Sequence, residues 1–279
     1  MRLSRVLRVG AVVAAASLAL AACGGGEEGG DKTVLQKAQD DKKLTIGIKY
    51  DQPGLGLKTP DGQFVGFDVD VAKYVAKELG VEESGIEWKQ APSAQRENLI
   101  EKGEVDLIFA TYSITDSRKE KVLFAGPYFV AHQDLLVRAD EADITGPETL
   151  EGKKLCSVKG STSAQNVADE YPGVALQNFG GYSECLTGLE NGAVDAVTTD
   201  DVILAGYAAG EAGKFKLVGN GFSDENYGVG LKKGDTESRD AINAAILKMQ
   251  EEGAWKAAAE THFAPAGYEV PEPPAITEK

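Results

Sequence analysis

The sequence contains little of the chemistry on which most enzymes and metal proteins depend. Its 279 residues include two histidines and three cysteines. Neither His132 nor His262 lies near a nucleophile signature, and no G-x-S-x-G, H-E-x-x-H, C-x-x-C or phosphate-binding loop occurs. We therefore expect no cofactor and no metal, and the sequence favours a binding protein over an enzyme.

Basic residues are also scarce. The chain has 29 lysines and arginines against 44 aspartates and glutamates, for a formal net charge of −15. Without residues 1–22, which include three arginines and no acidic residue, 26 basic residues remain and the charge becomes −18. Nucleic-acid binding requires concentrated positive charge, so this composition argues against a nucleic-acid partner.

Long apolar runs are missing after the first 20 residues. The run at residues 9–20 follows three arginines, is too short to span a bilayer and ends in small residues, which is typical of an export signal. The next residues, Leu20-Ala21-Ala22-Cys23, resemble a bacterial lipobox, in which the cysteine is lipidated and becomes the mature N-terminus. The alternative is an alanine-rich stretch before an unrelated cysteine.

The lipobox predicts a signal peptide at residues 1–22 and a lipid on Cys23. Residues 24–31 are glycines and acids without an apolar side chain, so we expect a flexible tether over residues 23–40. The protein would then be exported and held by its lipid at the outer face of the cytoplasmic membrane. In an exported protein, the two remaining cysteines, Cys156 and Cys185, favour a disulfide over two buried free thiols.

Strand and helix patterns alternate along the rest of the chain. The first unit has predicted strands at 44–48, 86–88 and 105–110, with helices at 68–79 and 94–102, the first of them capped by Asp68. A second unit has strands at 154–158, 175–178 and 194–199, with helices at 163–170, 183–191 and 201–209. Two more helices are predicted at 237–252 and 254–263. This order predicts parallel sheets with ligand loops at the carboxyl ends of their strands.

The two units predict two α/β lobes. We place the first lobe at residues 41–132 and 226–279 and the second at 133–225, because extended runs at 130–137 and 228–232 can join them. A chain that crosses twice between lobes forms a two-strand hinge, which allows closure around a small ligand.

The segment at residues 111–118, Thr-Tyr-Ser-Ile-Thr-Asp-Ser-Arg, combines hydroxyls with a guanidinium just after a buried strand. An arginine binds a carboxylate through two parallel charge-assisted hydrogen bonds, and short hydroxyls can reach the same oxygens. The segment is therefore a candidate carboxylate site. The alternative is a solvated turn in which Thr115 caps the next helix.

Motifs in this order resemble one family. They are Gly66-Phe67-Asp68-Val69-Asp70, the segment 103–118, Phe124-Ala125-Gly126-Pro127-Tyr128, Gly160-Ser161-Thr162, residues 194–200 and Tyr227-Gly228-Val229-Gly230-Leu231. Together, residues 44–263 resemble the extracellular solute-binding proteins of polar amino acid ABC importers. The resemblance implies a two-lobe, type II periplasmic-binding-protein-like fold, and a permease as partner.

The resemblance also implies roles for individual residues. Arg118 matches the arginine that clamps the α-carboxylate of the ligand, with Thr111 and Ser113 assisting. Thr162 matches a second-lobe residue that contacts the same group from a helix N-terminus, and Ser161 and Ser163 would lie beside it. Asp200 matches the acid that receives the α-ammonium group; the alternative is an N-cap, which Asp201 could equally provide.

Specificity is expected to depend on two cations. Lys49 ends the first strand where binders of acidic amino acids carry a cation, and Arg96 matches an arginine of those binders. Both could instead be ordinary surface charges. The aromatic residue that the family usually places against the ligand near the first strand has no clear match, with Tyr50 and Gln52 in that neighbourhood, and Tyr227 either contacts the ligand or packs in the hinge. We expect a monomer that binds glutamate, or next aspartate; glutamine or another polar amino acid is the alternative, and an exported enzyme on this fold is the remote one.

Overall fold

The structure is a computed structural model that describes residues 32–279. The predicted signal peptide, the lipidation site at Cys23 and the first half of the predicted tether, residues 23–31, lie outside these residues. Within them, no helix is both long and apolar enough to cross a membrane.

Strands and helices alternate as the sequence patterns predict. The strands are β1 (Leu44–Ile48), β2 (Asp51–Gln52), β3 (Gly56–Lys58), β4 (Phe64–Val65), β5 (Ile86–Gln90), β6 (Leu107–Ile108), β7 (Val122–Arg138), β8 (Lys154–Val158), β9 (Ala175–Phe179), β10 (Ala196–Asp200), β11 (Phe215–Leu217) and β12 (Asp224–Lys232). The α-helices are α1 (Val34–Asp40), α2 (Phe67–Glu78), α3 (Arg96–Glu101), α4 (Asp116–Lys119), α5 (Thr162–Glu170), α6 (Tyr182–Glu190), α7 (Asp201–Gly210), α8 (Thr236–Glu251) and α9 (Ala254–Phe263).

Two lobes share one pair of long strands. In the first lobe the strand order is β5-β1-β6-β12-β7, and β1 is parallel to both neighbours. In the second lobe it is β7-β10-β8-β9, with the last three strands parallel and β11 added to β7. Strands β7 and β12 pair antiparallel from Val122↔Lys232 to His132↔Asp224, so together they form the hinge. The two-lobe fold is thus confirmed, whereas the exact lobe boundaries stay a prediction.

The main buried apolar cluster runs through both lobes and includes Phe67 in the first and Val197 in the second. In the first lobe the ring of Phe67 contacts those of Tyr128, Phe129, Trp255 and Phe263, with centroid distances of 5.0–6.3 Å. In the second lobe, strands β7, β8 and β10 contribute a separate buried cluster. Burial of each large apolar side chain stabilises the fold by about 1.5–3 kcal/mol. These clusters fix the strand ends that carry the site.

The cysteine pairing is confirmed, because Cys156 and Cys185 form a disulfide. The bond connects β8 to the buried face of α6. It therefore links two elements of the second lobe. The C-terminal end of β8 and the N-terminal end of α6 both lie next to first-lobe residues such as Lys49.

The tether prediction is wrong for residues 34–40, which form α1. Thr33 caps this helix with its hydroxyl, and Val34 and Ala38 are buried. The helix also docks on the start of α8, where the Val34 N–H donates to the Asp235 carboxylate at 2.9 Å. Two apolar positions four residues apart suffice for one buried helical face. The helix was not predicted because the neighbouring residues are charged or polar.

The predicted cap of α2 is also wrong. The helix begins at Phe67, and the N-cap position is Gly66, at φ 125°. A Cβ on Gly66 would lie 2.0 Å from the Leu55 carbonyl oxygen, so the close approach of two backbones requires glycine there. Asp68 lies one residue inside the helix, and its side chain bonds elsewhere.

Candidate functional site

The predicted site residues converge where the two lobes meet. The first lobe contributes the ends of β1 and β6, and the second contributes the end of β10 and the start of α5. Eight of the ten predicted ligand-binding residues are buried there, at 8 % exposure or less: Lys49, Gln52, Arg96, Thr111, Ser113, Arg118, Asp200 and Tyr227. Ser161 and Thr162 are partly exposed.

Thr111 is hydrogen-bonded to several side chains of the site. Its backbone adopts φ 45°, which is rare for a residue other than glycine. Its N–H donates to Asp68 Oδ2 at 2.9 Å, and its hydroxyl lies 3.2 Å from Gln52 Oε1. Its carbonyl accepts a hydrogen bond from Arg96 Nη1 at 3.1 Å. Thr111 thus ties three side chains to one point of the backbone.

Arg96 is held by backbone carbonyls and an aromatic face. Nη1 also donates to the Ala110 carbonyl at 3.0 Å, and Nε donates to that of Ser93 at 3.4 Å. The guanidinium lies over the ring of Tyr112, 4.1 Å from its centroid, in a cation–π arrangement. Arg96 is 2 % exposed, so the interpretation as an ordinary surface charge is wrong.

Lys49 is buried next to Arg96. Its ammonium donates to Ser93 Oγ at 2.7 Å. Burial, and then the positive charge of Arg96, lowers the pKa of Lys49 to about 7. An anion placed against this group would favour the protonated form and raise that pKa again. The surface-charge interpretation is therefore wrong for Lys49 as well.

Arg118 connects the two lobes. Thr115 caps the short helix α4, as one interpretation of the sequence has it, and this orients Arg118 inwards. Nη1 donates to the Ser113 carbonyl at 2.6 Å, and Nη2 donates to that of Gly160, in the second lobe, at 3.0 Å. Nε lies 3.4 Å from Glu97 Oε1. Burial, and then Arg96, lowers the pKa of Arg118 to about 10, which leaves the guanidinium charged at neutral pH.

The second lobe presents the start of α5 to the first. Ser161 is the N-cap and accepts the Ala164 N–H at 3.0 Å. Thr162 Oγ1 lies 3.3 Å from Ser113 Oγ across the cleft and donates to Glu225 Oε2 at 2.7 Å. Backbone N–H groups in the first turn of a helix favour an anion, so this end of α5 suits a carboxylate.

Asp200 is the acidic group of the site. Its carboxylate accepts hydrogen bonds from Ser163 Oγ at 3.3 Å and from the hydroxyl of Tyr227. Burial, and then the nearby Glu225 carboxylate, raises the pKa of Asp200. Although Asp200 occupies the N-cap position of α7, its side chain makes no capping hydrogen bond, so the capping alternative is not supported. Tyr227 is placed by this contact as well as by hinge packing.

The lobes are closed around a small cavity of about 10 Å³. This is room for about one water molecule, so an amino acid can enter only if the lobes separate. Its lining combines six residues that the sequence indicated with four that it did not: Arg96, Thr111, Ser161, Thr162, Ser163 and Asp200, with Ser93, Tyr182, Thr199 and Ile203. Lys49 lines a neighbouring depression of about 160 Å³ between the lobes. Neither of these two spaces is lined by Gln52, Ser113, Arg118 or Tyr227.

Glycine permits the closest approach of the lobes. A Cβ on Gly206, in α7, would lie 2.2 Å from the carbonyl oxygen of Pro53, in the segment that joins β1 to α2. A Cβ on Gly160 would lie 2.7 Å from Ala94 Cα. In addition, Tyr207 donates to the Asp51 carbonyl. Backbone therefore packs directly on backbone at the rim of the cleft.

Comparison with known proteins agrees with this architecture. Residues 44–265 match the bacterial extracellular solute-binding proteins, family 3. The chain belongs to this family. This family 3 protein is 50 % identical over 262 residues to the glutamate-binding protein GluB of Corynebacterium efficiens, a match that covers 89 % of this chain and 88 % of GluB. It is 39 % identical over 246 residues to the glutamine-binding protein GlnH of Bacillus subtilis, covering 85 % and 89 % of the two chains.

A solved structure gives the same picture of the fold of this family 3 protein. An ancestral arginine-binding protein bound to glutamine superposes with a TM-score of 0.75 at 35 % identity, covering 80 % of this chain and 98 % of the other. The expected family and fold class are therefore both confirmed.

Glu225 is a further buried neighbour of the candidate site that the sequence of this family 3 protein did not indicate. It is 3 % exposed, contacts Thr162 and raises the pKa of Asp200. Its position two residues before Tyr227 on one strand places both side chains on the same face, which is the signal that could have found it.

Proposed function

We propose that this family 3 protein is a receptor that binds an acidic amino acid, glutamate first and aspartate next, and delivers it to an ABC importer. One observation carries the proposal: Arg96 lines the closed cavity together with Asp200, and two more buried cations, Lys49 and Arg118, lie close enough to Arg96 to interact with its charge. Glutamate offers two carboxylates and one ammonium, and so complements this arrangement. The 50 % identity to a protein named glutamate-binding supports the choice.

Both lobes would bind the α-carboxylate and the α-ammonium group of the ligand. Arg118 would bind the α-carboxylate with the Thr111 and Ser113 hydroxyls, and Thr162 would bring the positive end of α5 to the same oxygens. Asp200, oriented by Tyr227, would pair with the α-ammonium. Burial raises the pKa of Tyr227 well above its ordinary value, and Asp200 raises it further, so the hydroxyl keeps its proton and donates. Closure excludes water and strengthens each of these charge interactions.

The side-chain carboxylate would be read by Lys49 and Arg96. Both cations are fixed by Ser93, at 2.7 Å from Lys49 Nζ to Ser93 Oγ and at 3.4 Å from Arg96 Nε to the Ser93 carbonyl. Two buried like charges repel each other, and an anionic ligand removes that cost. Gln52, 3.2 Å from the Thr111 hydroxyl, would complete this wall.

Delivery from outside the cell fits an exported receptor. We propose that Cys23 carries a lipid that keeps this monomer at the outer face of the cytoplasmic membrane, next to its permease. The support is the lipobox at residues 20–23 and the extracellular location that the family description gives.

Calorimetric titration of the wild-type protein with the common amino acids tests the ligand. We expect glutamate to bind most tightly, aspartate next, and glutamine at least about tenfold more weakly, because one charge-assisted contact is worth about 1.5–3 kcal/mol. Preference for glutamine, which the similarity to GlnH would suggest, contradicts the acidic-ligand proposal. Turnover of a ligand during the titration would indicate an enzyme instead.

Lys49→Met tests the side-chain assignment. The variant keeps the buried stem and removes the charge, so glutamate affinity is expected to fall by about tenfold or more while glutamine affinity changes by less than about threefold. Lys256→Met, on the exposed face of α9, is the matched control and is expected to change neither. Equal losses for both ligands would show that Lys49 reads a group common to all amino acids.

A further inference from the structure

Asp68 is a buried carboxylate whose purpose the ligand contacts do not explain. It is fully buried near the start of α2. One oxygen, Oδ2, accepts the N–H of Thr111 at 2.9 Å, and the other, Oδ1, accepts the hydroxyl of Tyr128 at 2.8 Å. Desolvating a carboxylate is costly, so a chain that keeps one inside must gain something from its contacts.

Those contacts lead directly to Thr111. With φ at 45°, Thr111 has a backbone conformation that a β-branched residue adopts only under an external constraint. Its N–H donates to Asp68, and its carbonyl and hydroxyl meet Arg96 and Gln52. The hydrogen bond from a backbone N–H to a charged carboxylate is the strong type, so it can supply the constraint.

Asp68 itself is held in place by its surroundings. The Tyr128 ring packs against those of Phe67 and Phe109, with centroids 6.3 and 5.9 Å away. This packing fixes the hydroxyl that binds Oδ1, and the α2 backbone fixes the other end of the side chain. The carboxylate is thus a rigid link between the first-lobe interior and the cleft.

We propose that Asp68 is a positioning residue for ligand binding, which holds Thr111 in its left-handed conformation and through it sets Arg96 and Gln52 against the ligand. The proposal rests on the proposed function, because it assigns Arg96 to the side-chain carboxylate. Asp68 touches no ligand group itself; it acts on affinity through the Thr111 carbonyl and hydroxyl.

Titration of Asp68→Asn with glutamate and glutamine tests this. Asparagine keeps the size but replaces a charged acceptor with a neutral one, so glutamate affinity is expected to fall by about tenfold, and glutamine affinity by less. The control is Asp70→Asn in the same helix, whose side chain is 41 % exposed and pairs with His262. It is expected to change affinity by less than about twofold. Wild-type affinity in Asp68→Asn overturns the proposal.

The pH dependence separates positioning from a loss of stability. Burial raises the pKa of Asp68 to about 6, against the opposing hydrogen bonds of Tyr128 and Thr111 and the charges of Lys49 and Arg96. Tyr227 also faces this carboxylate. As the pH falls through about 6, wild-type Asp68 becomes neutral and the affinity gap between wild type and Asp68→Asn is expected to shrink. A gap that stays constant over this range overturns the positioning role.

Tyr128→Phe provides a second variant in case Asp68→Asn does not fold. It keeps the ring contacts and removes the hydroxyl that orients Oδ1, so we expect a smaller loss of the same kind, again larger for glutamate than for glutamine. No loss in Tyr128→Phe contradicts the link. If the wild type binds another amino acid, the proposed function fails, but the comparison of Asp68→Asn with Asp70→Asn on that ligand still decides the role of Asp68.

Discussion

Gly206→Ala is expected to lower glutamate affinity by about a hundredfold or more without unfolding either lobe. The new Cβ would lie 2.2 Å from the Pro53 carbonyl oxygen in the closed arrangement, and neither group is the end of a flexible side chain. The lobes would stop short of closure, and the ligand would lose Thr162 and Asp200. Loss of about 3 kcal/mol of such contacts corresponds to a hundredfold change in affinity.

At this position the substitution is expected to block closure without destabilising the helix. Gly206 lies within α7, and its backbone is not left-handed. In a helix interior, alanine is favoured over glycine by about 1 kcal/mol, so the open protein is expected to melt no lower than wild type. Gly210→Ala, at the end of the same helix with nothing within 4 Å of its Cβ, is the matched control.

Calorimetry gives the affinity, and small-angle X-ray scattering with and without glutamate gives the closure. The wild type and Gly210→Ala are expected to become more compact on binding, whereas Gly206→Ala is expected to stay open. Full affinity together with compaction in Gly206→Ala would show that the lobes close by another route. Gly160 is a poorer probe, because at φ 80° any other residue is strained whatever the space.

The fold was predictable because its signals are local. Strands such as β1 and β8 are short, mostly apolar runs, which parallel sheets with covered faces require. Helix starts follow from caps, and Thr115 and Ser161 both accept an N–H from their own first turn. The segment at residues 111–118 was predicted both as a carboxylate site and as a capped turn. The cap is present, and it is what orients Arg118.

The role of Asp68 could not be predicted from neighbouring residues in the sequence. An acid near the start of a helix has a local explanation, and the cap interpretation used it. Its real partners are Thr111 and Tyr128, which lie 43 and 60 residues away in the chain. The tertiary fold brings them together, and the ring of Phe67 at the start of α2 packs against Tyr128 on β7. Glu225 was missed for the same reason, since its neighbours come from α5 and β10.

For Lys49 and Arg96, the family resemblance was sufficient to select the residues. It did not decide whether their side chains lie in the cleft or on the surface. Lys49 and Arg96 were candidates for the cleft or for the surface. Burial decided against the surface, and Ser93, which no pattern indicated, is the residue that both contact. Ser93 can contact both cations because of the short turn before α3. This turn has no sequence signature of its own.

Arg118→Ala is expected to abolish measurable binding of every amino acid, with a loss of at least about a thousandfold. The guanidinium is the strongest candidate for the α-carboxylate, which all amino acids share. The substitution also removes the cross-lobe hydrogen bond to the Gly160 carbonyl and leaves Glu97 without its partner. Calorimetry with glutamate and with glutamine measures the effect.

The pattern across ligands is what identifies the role of Arg118. Loss of the α-carboxylate contact must weaken glutamate and glutamine by the same factor, whereas Lys49→Met must weaken glutamate alone. Arg118→Lys keeps the charge but not the planar fork, so it is expected to recover only part of the affinity, again equally for both ligands. Arg239→Ala, on α8, removes a cation that pairs with Asp240 and lines neither space between the lobes, and serves as control. If glutamine binds to Arg118→Ala as it does to wild type, the α-carboxylate must be held elsewhere, and Arg96, the one guanidinium that lines the closed cavity, becomes the alternative among the described residues.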